Sequence, residues 1–437
     1  MKKFYLKPKF FSTMKNYSKD QAVKDIVAGV IVAIIALPLS IALALASGVE
    51  PACGVYTAIF AGFMVSFLGG SRVQIAGPTA AFATVVAGIV ATQGMEGLII
   101  ATILAGIFLI LMGVFKLGSL IKFIPYTITT GFTAGIAVTI FIGQIKDFLG
   151  LQYADGVKPI ETIEKIEANI HAIGTFSWQA LLVGAVSLAI LIIYPKFEKK
   201  IPPSLIAVIV GALMVKFIPR LDNGVFTIGE LYTIPSGFPK FALSGMEFSF
   251  AKVSAVLPDA FTIAVLAAIE SLLSCVVADS MVNSRHNSNA ELVAQGVGNI
   301  ASVLFGGIPA TGAIARTAAN AKNGGRTPVA GMVHAVVLLL VLLFLMPLAG
   351  LIPMPTIAAI LFMVAYNMSE WREFVSIVKH SPKSDILVLV VTFVLTIVFD
   401  LVVAICVGLV LSTLLFMKRM SDETNAYGWK EIDEATD

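Results

Sequence analysis

The chain has 437 residues, of which 58% are hydrophobic and only 13% charged, and its formal net charge is +3. With a mean hydropathy of +0.93, that composition excludes an ordinary soluble domain and gives no sign of a nucleic-acid partner. Apolar runs near 20 residues, the length that crosses a bilayer as a helix, recur along most of the sequence.

The chain opens on a lysine-rich arm, 1–23, followed by an apolar segment too long, and without the cleavage site, for a removable leader. Counting apolar runs against turn and charge punctuation gives about fourteen membrane segments. The first group covers 24–47, 51–69, 73–92, 97–115, 122–148, 176–194 and 201–217. After a polar stretch, 218–252, the second covers 254–279, 288–305, 308–321, 327–350, 355–368, 384–399 and 400–417, the last two divided only by Asp400. A polar tail, 418–437, ends the chain.

Lysine and arginine placement sets the orientation. With the N-terminus in the cytoplasm, 22 of the 30 fall inside, among them Lys2, Lys3, Arg72, Lys122, Lys199, Lys200, Arg285, Arg326, Lys383, Arg419 and Lys430. Seven fall outside, Lys158 and Lys252 among them, and Arg316 stands alone within an apolar run. Both termini are therefore expected inside. Seven segments per group force the second copy to run inverted relative to the first, so 24–217 and 254–417 read as a 7+7 inverted repeat.

The third segment of each group is irregular. The run 72–81, Arg-Val-Gln-Ile-Ala-Gly-Pro-Thr-Ala-Ala, reads as a short extended stretch, with Pro78 in the first turn of a half-helix that reaches 92. The run 306–320 contains Pro309, Thr311, Gly312 and Arg316, with a half-helix expected from near Thr317. Broken backbone at membrane depth is tolerated only where protein buries it or it lines a cavity. An arginine there costs roughly 3 kcal/mol by insertion scales. The amides around Thr79, Ala80, Arg316 and Thr317 would then be donors at two positive dipole ends, with the Arg316 charge between them. The plainer readings are a kink at either break, and an Arg316 that reaches a lipid interface or pairs with a structural carboxylate.

One carboxylate sits at similar depth. Glu270 lies near the centre of segment eight, with Ala267, Ser271 and Ser274 on its face. Poised between burial and a nearby cation, such a group loads and releases a proton as a cavity opens to each side; the alternative is a fixed Glu270–Arg316 pair. Glu291 reads as a loop-to-helix anchor, Asp259 and Asp279 as solvated helix ends, and Glu161, Glu164 and Glu167 as one wet external face. The three cysteines, Cys53, Cys275 and Cys406, and the four histidines, His171, His286, His334 and His380, have no metal or disulfide spacing. No nucleotide-binding loop is found, so ATP-driven pumping by this chain alone is not expected.

Three blocks resemble the SulP family of anion transporters, whose eukaryotic relatives include prestin. They are 36–58 (Ala-Leu-Pro-Leu-Ser onward), 75–81 (Ile-Ala-Gly-Pro-Thr-Ala-Ala) and 268–317, ending Ala-Thr-Gly-Ala-Ile-Ala-Arg-Thr; the segment 366–371 also fits. The resemblance implies an all-α polytopic membrane protein of the UraA/SulP-like kind. Segments one to four and eight to eleven would form a moving core, and the other six a gate, working by elevator-like alternating access. It places substrate at Thr79, Ala80, Ala315, Arg316 and Thr317, with Leu39 and Leu43 lining the pocket, Glu270 coupling protons, and Ser271, Ser274 and Gly312 in support. Sodium-coupled bicarbonate members carry Asp at the Glu270 position and Thr at those of Ser274 and Ile314. Glu270 with Arg316 looks more like the proton-coupled sulfate and dicarboxylate members. The family usually continues into a cytoplasmic STAS domain, which 418–437 would not contain.

The expected activity is secondary transport across the inner membrane of sulfate or a small carboxylate or dicarboxylate with a proton. The lipid bilayer is the other partner, a homodimer is left open, and no cofactor, metal or enzymatic chemistry is expected. A sodium-coupled bicarbonate symporter, an exchanger or channel in which Glu270 is structural, and a non-transporting scaffold remain as alternatives.

Overall fold

The computed structural model describes residues 6–119, 125–154, 156–157, 159–198, 201–221, 224–235, 237–243, 249–399 and 401–423. Lys2, Lys3, Lys122, Lys158, Lys199, Lys200, Asp400, Lys430 and the last fourteen residues of the tail lie outside the described residues, as does the side chain of Arg419.

The elements run in chain order as α1 (Lys9–Thr13), α2 (Lys19–Ala46), α3 (Pro51–Leu68), β1 (Ala76–Gly77), α4 (Ala80–Val114), α5 (Tyr126–Leu149) and α6 (Thr162–His171). Then come α7 (Trp178–Phe197), α8 (Pro203–Phe217), α9 (Ile228–Leu231), α10 (Phe250–Ala255), α11 (Leu257–Val282) and α12 (Ser288–Leu304). Last are β2 (Thr311–Gly312), α13 (Ile314–Lys322), α14 (Val329–Phe344), α15 (Met346–Ala349), α16 (Met354–Met368), α17 (Trp371–His380), α18 (Lys383–Val398) and α19 (Leu401–Glu423).

Among the described residues six helices are long and apolar enough to cross a bilayer: α2, α3, α4, α5, α7 and α11. Their ends follow local chemistry. Ser18 caps α2 by accepting the Gln21 N–H at 3.2 Å, and Gly150 stops α5 at a φ of 64° that favours glycine. Segments three and four are two helices that follow one another directly and meet at a kink between the predicted bounds. α4 runs through both and bends at Gly94, whose φ of 69° breaks the helical geometry without a loop.

Helices α2, α3, α4, α11, α12, α13 and α14 pack on one another as one group, and α5, α7, α8, α16, α18 and α19 as a second. Small residues set the spacing in the first. A Cβ on Gly106 of α4 would lie 2.7 Å from the Gly296 carbonyl of α12, so the two backbones touch. Buried carboxylates pin its loops. Glu291, wholly buried, accepts from the Gly70 N–H (2.9 Å), the Ser71 N–H (3.2 Å) and Gln295 Nε2 (3.0 Å), which makes it a loop anchor. Asp279 differs from the solvated end expected of it. The chain turns back at Asn283 (φ 48°), so Asp279 meets the His286 ring at 2.7 Å and the His286 N–H at 2.8 Å.

Candidate functional site

Two short strands frame the site. Ala76 pairs with Gly312 and Gly77 with Thr311, antiparallel, and the Ala313 N–H donates to Ile75 O at 2.8 Å. Both strands pass almost at once into helices, α4 at Ala80 and α13 at Ile314. First-turn amides have no acceptor within their own helix and carry the positive end of its dipole. Those of Ile314, Ala315 and Arg316 find no protein acceptor among the described residues.

Behind these amides lies Arg316, 1% exposed. Its Nη2 donates to Pro78 O at 3.3 Å, while Nε and Nη1 have no partner among the described residues. Gly77 makes the room: a Cβ there would collide with Nη1. A guanidinium taken out of water without a counter-charge is penalised by several kcal/mol, so the arrangement favours an anion.

Glu270 of α11 is half-buried and accepts the Thr79 hydroxyl at 2.9 Å. No ion pair joins it to Arg316 among the described residues. The fixed pair weighed from the sequence is not what the structure shows, and Arg316 does not reach an interface either. Pro78 and Thr79 link the two groups instead, one through its carbonyl and the other through its hydroxyl.

A polar layer holds this frame from below. Gln74 Nε2 donates to Ser271 O at 3.1 Å, and its Oε1 accepts from Ser274 Oγ at 2.9 Å. Thr317 Oγ1 accepts from the Ile75 N–H at 3.0 Å and lies 3.3 Å from Ser274 Oγ, to which its own hydroxyl hydrogen is free to point. One turn further along α13, Asn320 Nδ2 donates to Val73 O at 2.9 Å. Gln74, Gly77 and Asn320 were not singled out from the sequence; the one signal was that they lie in the irregular runs 72–81 and 306–320.

Thr79, Ala80, Glu270, Ser271, Ser274, Gly312, Arg316 and Thr317 therefore converge on one place. Ala315 is exposed at the tip of α13, beside Ile314 at 43% exposure. Leu39, half-buried, and Leu43, buried, lie on α2 and pack with the apolar core. Two local expectations are corrected. α13 begins at Ile314 and not near Thr317, whose N–H already donates to Ala313 O at 2.9 Å and is no free donor. Pro78 lies outside the first turn of α4, because Thr79 takes the N-cap position.

A bundle of apolar helices in which two broken segments face a buried cation is the architecture of a multi-pass membrane transporter. The model described as the sulfate permease family matches residues 23–392, and the chain belongs to that family. It is 43% identical over 425 residues to the protein named "Putative sulfate transporter YvdB" of Bacillus subtilis (strain 168), covering 96% of this chain and 78% of that one. Against the bicarbonate transporter BicA of Picosynechococcus sp. (strain ATCC 27264 / PCC 7002 / PR-6) it is 35% identical over 410 residues, 91% and 70% of the two chains. The transmembrane domain of a cyanobacterium BicA superposes with a TM-score of 0.79 at 32% identity, over 89% of this chain and 98% of that one. The structure of SLC26A9 shares the fold, with a TM-score of 0.84 at 19% identity over 95% and 68%.

Proposed function

We propose that the chain is a secondary transporter of a small anion, sulfate or a carboxylate, driven by a proton across the inner membrane with both termini in the cytoplasm. The anion sits between the N-termini of α4 and α13 against Arg316, and Glu270 carries the coupling proton. The carrying observation is the buried Arg316 guanidinium, with Nε and Nη1 unpartnered beside the first-turn amides of α13. An anion there gains charge-assisted hydrogen bonds from donors already fixed in place.

In this mechanism substrate binds the guanidinium and the free amides, while Thr79 holds Glu270 next to the same pocket. Proton loading at Glu270 then removes a negative charge that would repel the anion. The packing group containing α2–α4 and α11–α14 moves as a body against the other six helices and carries the site between the two faces. The 7+7 inverted repeat expected from the sequence is an arrangement that suits such a motion. Bicarbonate is a second substrate to weigh, given the similarity to BicA. Sodium coupling finds little support here. Ile314 offers no side-chain oxygen at the pocket, and the Ser274 hydroxyl is already engaged with Gln74 and Thr317.

Uptake of labelled sulfate, bicarbonate and succinate into proteoliposomes tests the reading. Accumulation above equilibrium under an inward proton gradient, lost in Glu270→Gln and weakened in Arg316→Ala, is the expected result. Equilibration without accumulation would mean a channel or exchanger. Unchanged affinity in Arg316→Ala would remove that residue from the site.

A further inference from the structure

His334 of α14 is 0% exposed, and neither ring nitrogen has a partner among the described residues. A neutral imidazole has one N–H to give and one lone pair to fill, and leaving either unmet in a core is unfavourable. Its place relates it to the site. A Cβ on Gly62 of α3 would lie 3.6 Å from the ring Nδ1 and Cε1 and 3.2 Å from Ala76 O. The imidazole and the Ala76 carbonyl of β1 thus both border Gly62. The next residue of that strand is Gly77, against which Arg316 Nη1 lies.

Consecutive Cα atoms are about 3.8 Å apart, so imidazole and guanidinium both approach the Ala76–Gly77 stretch of β1. The space between them faces the small-residue edge of α3, where Ala58, Gly62 and Ser66 follow at four-residue intervals. Ala58 Cα borders Gly77, and at the other end the Ser66 hydroxyl is buried and unpartnered against Gly331 of α14. Unmet polar atoms thus form a column along α3: Arg316 Nε and Nη1, both His334 nitrogens, then Ser66 Oγ.

We propose that His334 is a positioning residue for Arg316, holding the guanidinium through one bridging water so that its remaining N–H groups stay aimed at the anion. A buried water needs two to four polar partners. Here it accepts from Arg316 Nη1–H and donates to the unprotonated ring nitrogen, with the Ala76 carbonyl as a third partner. Deleting the imidazole leaves the cation free to swing, which weakens anion binding without touching the anion. The inference rests on the assignment of Arg316 to the anion site.

The test compares His334→Leu, apolar and of similar bulk, with His334→Gln, which keeps a donor and an acceptor. With labelled sulfate and bicarbonate as probes, His334→Leu should raise the half-saturation concentration about tenfold, roughly one buried hydrogen bond. Its maximal rate should stay within about twofold, and His334→Gln should recover most of the loss. Equal damage in both variants, or none in either, overturns the proposal. A readout independent of substrate is solid-state NMR of the wild-type protein labelled with 15N at arginine and histidine. Magnetisation transfer from water to both the Arg316 guanidinium, assigned with Arg316→Lys, and the His334 ring is expected. Its absence at either group refutes the bridge even if His334→Leu fails to fold. A wild-type-like half-saturation concentration in Arg316→Ala would instead sink the anion-site assignment, while the NMR signal still reports the His334 contact.

Discussion

Thr79 gives its hydroxyl hydrogen to Glu270 Oε2 at 2.9 Å, while the carbonyl of the residue before it receives Arg316 Nη2 at 3.3 Å. One dipeptide thus touches both the carboxyl and the guanidinium of the site. The broken helix makes this possible, because Pro78 and Thr79 precede α4 and the Pro78 carbonyl and Thr79 hydroxyl are left outside its hydrogen-bond ladder.

Thr79→Val removes the donor to Glu270 at nearly constant volume. A hydrogen bond to a charged or half-buried carboxyl contributes about 1.5–3 kcal/mol. Proton-gradient-driven accumulation should accordingly fall by about tenfold or more, whereas Thr79→Ser, which keeps the hydroxyl, should retain it. Parallel measurements of accumulation under the same imposed gradient decide this; equal accumulation in both variants would break the link between Thr79 and coupling.

Gly77→Ala places a methyl group where Arg316 Nη1 now lies. Either the strand or the guanidinium must shift, and overpacking of this kind costs about 1–3 kcal/mol. The half-saturation concentration for sulfate or bicarbonate uptake should rise at least about tenfold. A structure of the variant would show the guanidinium displaced from Pro78 O. An unmoved side chain with normal uptake contradicts the account of why glycine stands there.

Asp25 near the start of α2 is wholly buried and accepts from Thr327 Oγ1 (2.6 Å), the Arg326 N–H (2.9 Å) and Gln21 Nε2 (3.0 Å). It ties α2 to the turn between α13 and α14, away from the anion site. Asp25→Ala leaves those donors unmet and should destabilise the protein by about 3 kcal/mol. Thermal unfolding in detergent should drop by several degrees, less for Asp25→Asn, while the half-saturation concentration of the surviving protein stays that of the wild type. A selective change in affinity with no loss of stability would place Asp25 in the transport pathway instead.

The class of the protein was legible because it depends on local composition. Apolar runs, their interruption at 72–81 and 306–320, and one arginine among apolar neighbours are properties of short windows. The helix starts were misread for a local reason too. Ala313 is a poor N-cap residue and gives no boundary signal, and Pro78 stands before the cap where proline more often stands after it. Gln74, Asn320 and His334 were illegible for a different reason. Their surroundings exist only once β1 and β2 pair across most of the chain, and no window on either side contains both partners. Asp279 was misjudged for another reason: its partner His286 is only seven residues on, but meets it through a left-handed turn at Asn283 that the sequence does not announce.

The largely exposed helix α6 carries a pH-sensitive cap of its own. Glu164 at its third position accepts the Ile160 N–H at 2.9 Å and the Glu161 N–H at 3.2 Å. These two bonds, given to the ionised form, hold its carboxyl below the usual value of 4.5. The folded pKa is lowered relative to the unfolded one. The contribution is therefore fully present above about 4.5 and disappears as pH falls through the folded value. Hydrogen-exchange protection of the Ile160 and Glu161 amides, corrected for intrinsic rates, should be flat from neutral pH down to that point and then decline. Glu164→Gln carries no titrating group and should show reduced protection at neutral pH and no acid-linked decline. A decline of the same shape in both proteins would assign the acid sensitivity to another carboxylate, with Glu161, the cap residue itself, the first to examine.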